Sequence, residues 1–108
     1  MTLALQHGEN PPEGIAWAQY SLGWCLLHGE GVADNPREAV RWLTAASRTH
    51  PAACYVLGEC HEQGVGVDNV DFPEAIKCYR RAVRLGYPRA DRKVRALERL
   101  LDRMADED

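Results

Sequence analysis

The chain has 108 residues, of which 45% are apolar and 27% charged, and it carries a formal net charge of −3. That length suits one domain with a modest core, since chains of this size bury roughly two-thirds of the surface they expose when unfolded. No apolar run approaches the ~20 residues that a membrane span needs. Met1-Thr2-Leu3-Ala4-Leu5 also lacks the basic and long apolar stretches of a secretory signal, so a cytoplasmic, reducing compartment is expected and no membrane partner.

In chain order, residues 1–14 read as an N-terminal extension or degenerate cap. Leu3–His7 would be the vestige of a preceding helix, ending near Gly14. A first helix follows, with Ala18, Leu22, Cys25 and Leu26 at i, i+4, i+7 and i+8 as one apolar stripe. Gly29 suits the left-handed residue that ends such a helix. Asn35-Pro36-Arg37-Glu38 then places a side-chain cap three residues before a Glu. The second helix it opens buries Ala39, Trp42, Leu43 and Ala46.

The pattern then returns. Leu22-Gly23 recurs as Leu57-Gly58, and Gly29-x-Gly31-Val32 as Gly64-x-Gly66-Val67, both 35 residues on. Ala39 and Ala46 recur 36 residues on as Ala75 and Ala82, which fits one inserted residue between Val67 and Asp71. The second copy therefore carries Ala53, Leu57 and Cys60 on its first helix, with His61 in the place of Leu26. Its second helix is capped by Asp71 and buries Ala75, Cys78, Tyr79 and Ala82. Gly86 and Pro88 separate it from a last helix of about residues 88–104. There Val94, Leu97, Leu101 and Met104 form a seam at spacings 3, 4 and 3, serving as a cap on the second copy or as a self-association surface.

This pattern resembles the Sel-1-like repeat family, a branch of the tetratricopeptide-type α-solenoids. The motifs that carry the likeness are Ala18-Gln19-Tyr20-Ser21-Leu22-Gly23, Gly29-Glu30-Gly31-Val32, Asp34, Ala39 and Trp42. They return as Ala53-Cys54-Tyr55-Val56-Leu57-Gly58, Gly64-Val65-Gly66-Val67, Asp71, Ala75, Tyr79, Ala82 and Gly86. The departures are Leu26 and His61 at a usual aromatic, and His50 at the Gly that closes a repeat. The resemblance implies an all-α superhelix with repeats at 15–50 and 51–87, a C-terminal capping helix and acidic tail at 88–108, and an adaptor or scaffold role in protein assemblies. Disulfide-bridged cousins of the family join one repeat's second helix to the next repeat's first. Here Cys54 stands at one such place and Ser47 at its partner place, so that bridge is not expected.

By analogy with tetratricopeptide geometry, a partner segment would lie on the face formed by the first helix of each repeat. The face comprises Trp17, Tyr20, Trp24, Leu27 and His28 in the first copy, Ala52, Tyr55, Glu59, Glu62 and Gln63 in the second, and Arg89, Arg92, Ala96 and Arg99 on the last helix; of these, all but Ala52, Gln63, Arg89 and Ala96 are the candidate contacts. Trp17 and Trp24 are the expected anchors, because Trp and Arg dominate binding hot spots; the alternative is that they pack against the N-terminal segment or fill the end of the solenoid. Tyr20 and Tyr55 belong to the family pattern and read as structural.

Residues 80–103 hold nine Arg or Lys against three Asp or Glu, which reads as a solvated basic face. No nucleic-acid motif accompanies it, and no nucleic-acid partner is expected. Cys25-x-x-His28 and Cys60-His61 could supply soft zinc ligands, yet Cys25 and Cys60 occupy equivalent core positions, where small thiols are ordinary packing. No base or oxyanion site accompanies a nucleophile, and Gly29-x-Gly31 lacks the strand and third glycine of a dinucleotide loop. The expectation is a protein-binding module with no metal, cofactor or catalysis. The alternative is a self-assembling fragment of a longer array, dimerising through Val94, Leu97, Leu101 and Met104.

Overall fold

Among the described residues, three of the five helices start on a side chain that accepts from a backbone amide. Asn35 Oδ1 accepts from Glu38 N at 3.2 Å, His50 Nδ1 from Ala53 N at 3.4 Å and Asp71 Oδ1 from Glu74 N at 3.0 Å. Each satisfies one of the amides that a helix start leaves without an intrahelical partner. Pro36, Pro51 and Pro73 occupy the first or second helical position, where a missing N–H costs nothing. The computed structural model describes residues 15–29 and 34–107, and places helices α1 at Ala16–His28, α2 at Pro36–Ala46, α3 at Pro51–Gln63, α4 at Phe72–Arg84 and α5 at Ala90–Asp106. Leu3–His7 and Gly31 lie outside the described residues.

Among the described residues there is no strand, and each helix packs on its neighbours in sequence. The architecture is an all-α solenoid of two helical hairpins followed by one further helix. Gly29 and Gly64 end α1 and α3 in the left-handed region, at φ 70° and 73°. Gly66, also at φ 73°, has a second task. A Cβ there would collide with the Pro36 carbonyl and come within 2.7 Å of Val40 Cγ2. Its bare backbone lets the loop of the second repeat lie directly on the start of α2.

The core has two parts. Leu43, Ala46, Ala53, Val56, Leu57, Cys60 and Cys78 join the repeats; Cys54, Ala75, Ile76, Tyr79, Ala82, Ala90, Val94 and Leu97 join the second repeat to α5. Cys54 donates to the Ser47 carbonyl at 2.9 Å, so these two positions do adjoin across the α2–α3 turn. The second repeat buries every residue expected of it. In the first, Leu22, Cys25 and Trp42 are only half-buried, while Gln19 is buried. The apolar stripe of α1 is correct in periodicity, but half of it is only partly covered.

The seam of α5 divides in the same way. Val94 and Leu97 are buried against α4, Leu101 packs on their margin, and Met104 is 47% exposed. Val94 and Leu97 are thus covered within the chain, and the seam leaves Met104 and part of Leu101 open.

Candidate functional site

Helices α1, α3 and α5 contribute side chains to two grooves on one face. The first has a volume of about 370 Å³ and is lined by Trp24, Leu27 and His28 of α1 and by Val56, Glu59, Cys60 and Gln63 of α3. The second, of about 910 Å³, is lined by Tyr55 of α3, by Pro88 and Arg89 before α5, and by the α5 residues Asp91, Arg92, Lys93, Ala96 and Arg99.

The expected binding residues sort by how committed they already are. Trp24 is 36% exposed and stands over His28 with ring centroids 4.0 Å apart, a tilted pair at the mouth of the first groove. Leu27 is half-buried and packs on the core between the repeats. Tyr20 stacks on His50 at 4.7 Å and packs on the same core, and Tyr55 sits between Tyr79 and Tyr87 at 5.3 and 5.1 Å. Both tyrosines are structural, and of the two only Tyr55 also lines one of these grooves. Burial raises both hydroxyls above their ordinary value, so they stay protonated donors. Trp17 is 49% exposed and lines neither groove.

Acidic residues form the middle of the face. Burial raises the Glu59 carboxyl, and Glu62 adds to that rise; Lys93 and His28 oppose it. Glu62 accepts from the Tyr79 hydroxyl at 2.7 Å and lies 3.5 Å from the Lys93 ammonium. That triad fixes α3, α4 and α5 to one another. Arg92 and Arg99 are exposed on the far wall.

The i, i+3 and i, i+7 spacing that puts Arg89, Arg92 and Arg99 on one side of α5 does bring all three to the second groove. Sequence reasoning missed Lys93, which lines the same groove, and Tyr87, which packs on Tyr55. It also missed a convergence of donors where α3 meets α4, where His61, Glu74 and Cys78 bring ligand atoms within 4.8 Å of one another. The equivalent places in the first repeat hold Leu26, Glu38 and Trp42. Burial, with the Glu74 carboxylate beside it, pushes the Cys78 thiol up to about 12. At neutral pH it remains a protonated, well-packed thiol.

A tandem of helical hairpins with a side-chain-lined face defines an α-solenoid repeat protein. The Sel1 repeat model matches residues 18–48 and 51–87, and the chain belongs to that family. It is 32% identical over 84 residues to DAP3-binding cell death enhancer 1 of Rattus norvegicus, and 33% identical over 92 residues to Activator of C kinase protein 1 of Saccharomyces cerevisiae. Those alignments cover 78% and 80% of this chain but only 16% and 15% of the relatives, so the chain spans about a sixth of their length. Among solved structures, a Sel1 repeat protein from Oxalobacter formigenes superposes with a TM-score of 0.71 at 34% identity, covering 75% of this chain and 33% of that one. A protective antigen of uropathogenic Escherichia coli with the same fold superposes with a TM-score of 0.64 at 36% identity, over 68% of this chain and 16% of that one. No helix among the described residues is long and apolar enough to cross a membrane.

Proposed function

We propose that this chain is a protein-interaction module, an adaptor or scaffold element that holds a segment of a partner protein along the face shared by α1, α3 and α5. One observation supports the reading: α1 and α3 line a groove that holds Trp24, and α3 and α5 contribute to a second that holds the arginines. Helix–helix distances of about 8–10 Å make the span from α1 to α5 roughly 20 Å. An extended peptide covers that in about six residues. The names of two relatives, one for binding DAP3 and one for activating C kinase, fit a role exercised on other proteins.

The test is selection of binding peptides from a random library, followed by calorimetry on the wild type and on Trp24→Ala. Loss of about tenfold or more in affinity is expected for a hot-spot aromatic. Undiminished binding by Trp24→Ala would overturn the placement at the first groove. A second reading, a segment of a longer array, is favoured by the small share of each relative that the chain spans and by exposed Met104 on α5. Light scattering across a concentration series distinguishes the two: a constant 12.1 kDa leaves the face as the working surface. A rising mass that Met104→Asp abolishes would support assembly through the end of α5.

A further inference from the structure

The charges on α5 are of two kinds. Asp91 is held by Arg95 at 2.8 Å, Glu98 pairs with Arg80, and Lys93 lies against Glu62. Among the described residues, Arg89, Arg92 and Arg99 have no carboxylate within ion-pair distance. These three line the larger groove, around the small exposed side chain of Ala96. Like charges gathered on one helix wall repel one another, and the one carboxylate that lines this groove, Asp91, is engaged by Arg95. From the partner-binding reading above, we propose that this groove takes an acidic segment of a partner protein, its Asp and Glu carboxylates pairing with Arg89, Arg92 and Arg99.

The geometry favours a short peptide. Arg89 to Arg99 spans about 15 Å along the helix at 1.5 Å per residue, matching four or five residues of extended chain. Guanidinium forks meet carboxylates with two parallel hydrogen bonds, which fixes orientation as well as sign. Tyr55 across the groove offers an aromatic face to the segment's apolar side chains. Glu59 and Glu62 on neighbouring α3 confine the positive field to the α5 wall, and the whole chain is net negative. A long polyanion such as nucleic acid would meet repulsion on the α3 side of that strip.

The experiment uses the peptides selected above, with wild type, Trp24→Ala, and the double variant Arg92→Gln/Arg99→Gln, whose side chains are exposed; circular dichroism checks that each variant is folded. The expected result is enrichment of Asp and Glu in the selected peptides, affinity at least tenfold weaker in the double variant, and a drop in affinity as salt rises that the double variant largely loses. Peptides that weaken in Trp24→Ala but bind the arginine variant normally would overturn this inference and leave the partner-binding reading standing. Retention of no peptide at all would overturn both. A single-stranded oligonucleotide of equal charge binding more tightly than the acidic peptides would overturn it in favour of a nucleic-acid ligand.

Discussion

The two repeats carry the same pattern and bury it differently. Leu57 and Cys60 of α3 are 4% and 2% exposed, whereas Leu22 and Cys25, their counterparts 35 residues earlier, are only half-buried. The residue types are identical at both pairs of positions. What differs is the stack: α3 lies between α2 and α4, and its Tyr55 reaches Tyr87 before α5, while α1, among the described residues, packs chiefly on α2. In a solenoid, burial belongs to a position in the stack, because each repeat covers its face against a neighbour.

The largest test of that difference lies at the centre of each hairpin, where Leu43 and Tyr79 occupy equivalent places and both are fully buried. Tyr79→Ala should cost about 4 kcal/mol and Leu43→Ala about 3 kcal/mol, from the ordinary range for large-to-small core changes. Urea denaturation measures both. A larger loss at Leu43 would place the stability of the chain in the first repeat and reverse the comparison.

Next come the two glycines that make room for those side chains. A Cβ on Gly58 would stand 2.7 to 3.0 Å from three ring carbons of Tyr79, and one on Gly23 would stand 2.9 Å from Leu43 Cγ and 3.2 Å from the Ala39 carbonyl. Alanine gains about 1 kcal/mol in helix propensity, but overpacking costs about 1–3 kcal/mol. The rigid ring cannot step aside as a leucine can, so Gly58→Ala should destabilise by about 2 kcal/mol net and Gly23→Ala by about 1 kcal/mol or less. Adding Tyr79→Leu to Gly58→Ala should then cost less than the two changes taken separately, since the smaller side chain leaves space for the methyl. Strict additivity would show that the clash is relieved elsewhere.

A finer contrast is the hydroxyl that only the second repeat possesses. Tyr79→Phe removes the hydrogen bond to Glu62 and should cost about 1.5 kcal/mol, typical of bonds to a charged acceptor. Combining it with Lys93→Met measures how far the two partners of Glu62 are coupled. No coupling would mean that α5 docks independently of the Tyr79–Glu62 bond.

How much of this was legible follows the same division. The caps at Asn35 and Asp71, the helix ends at Gly29 and Gly64, and the equivalence of the two hairpins were all readable, because each depends on residues within a few positions of one another. The half-burial of Leu22 and Cys25 was not, because periodicity names a face and is silent on whether a neighbour covers it. The candidate site was legible as a face and illegible as chemistry. Trp24, Leu27, His28 and Glu59 do meet in one groove and Arg92 and Arg99 in another, whereas Trp17 lines neither and Tyr20 is committed to His50. Which arginines are left without a carboxylate depends on packing between helices, as do the Glu62–Lys93 pair and the donor cluster at His61.

The smallest effects are electrostatic and run in opposite directions at two places. His50, at the junction of the repeats, is held below its ordinary value of 6.5 chiefly by burial. The unfolded chain therefore binds more protons than the folded one as pH falls through 6.5, and stability must drop there. Glu59, in the groove, is held above its ordinary 4.5, again chiefly by burial. Here the folded chain binds more protons, so stability is fullest below 4.5 and declines as pH rises past it. His50→Asn keeps an acceptor for the Ala53 amide and should flatten the loss between pH 7 and 5, while Glu59→Gln should raise the melting temperature at pH 7 more than at pH 4. Thermal melts at these pH values check both signs. A Glu59→Gln gain that is the same at pH 4 and pH 7 would mean the carboxylate is solvated in the open groove, and the acidic middle of the face would then be free to engage a basic residue of a partner.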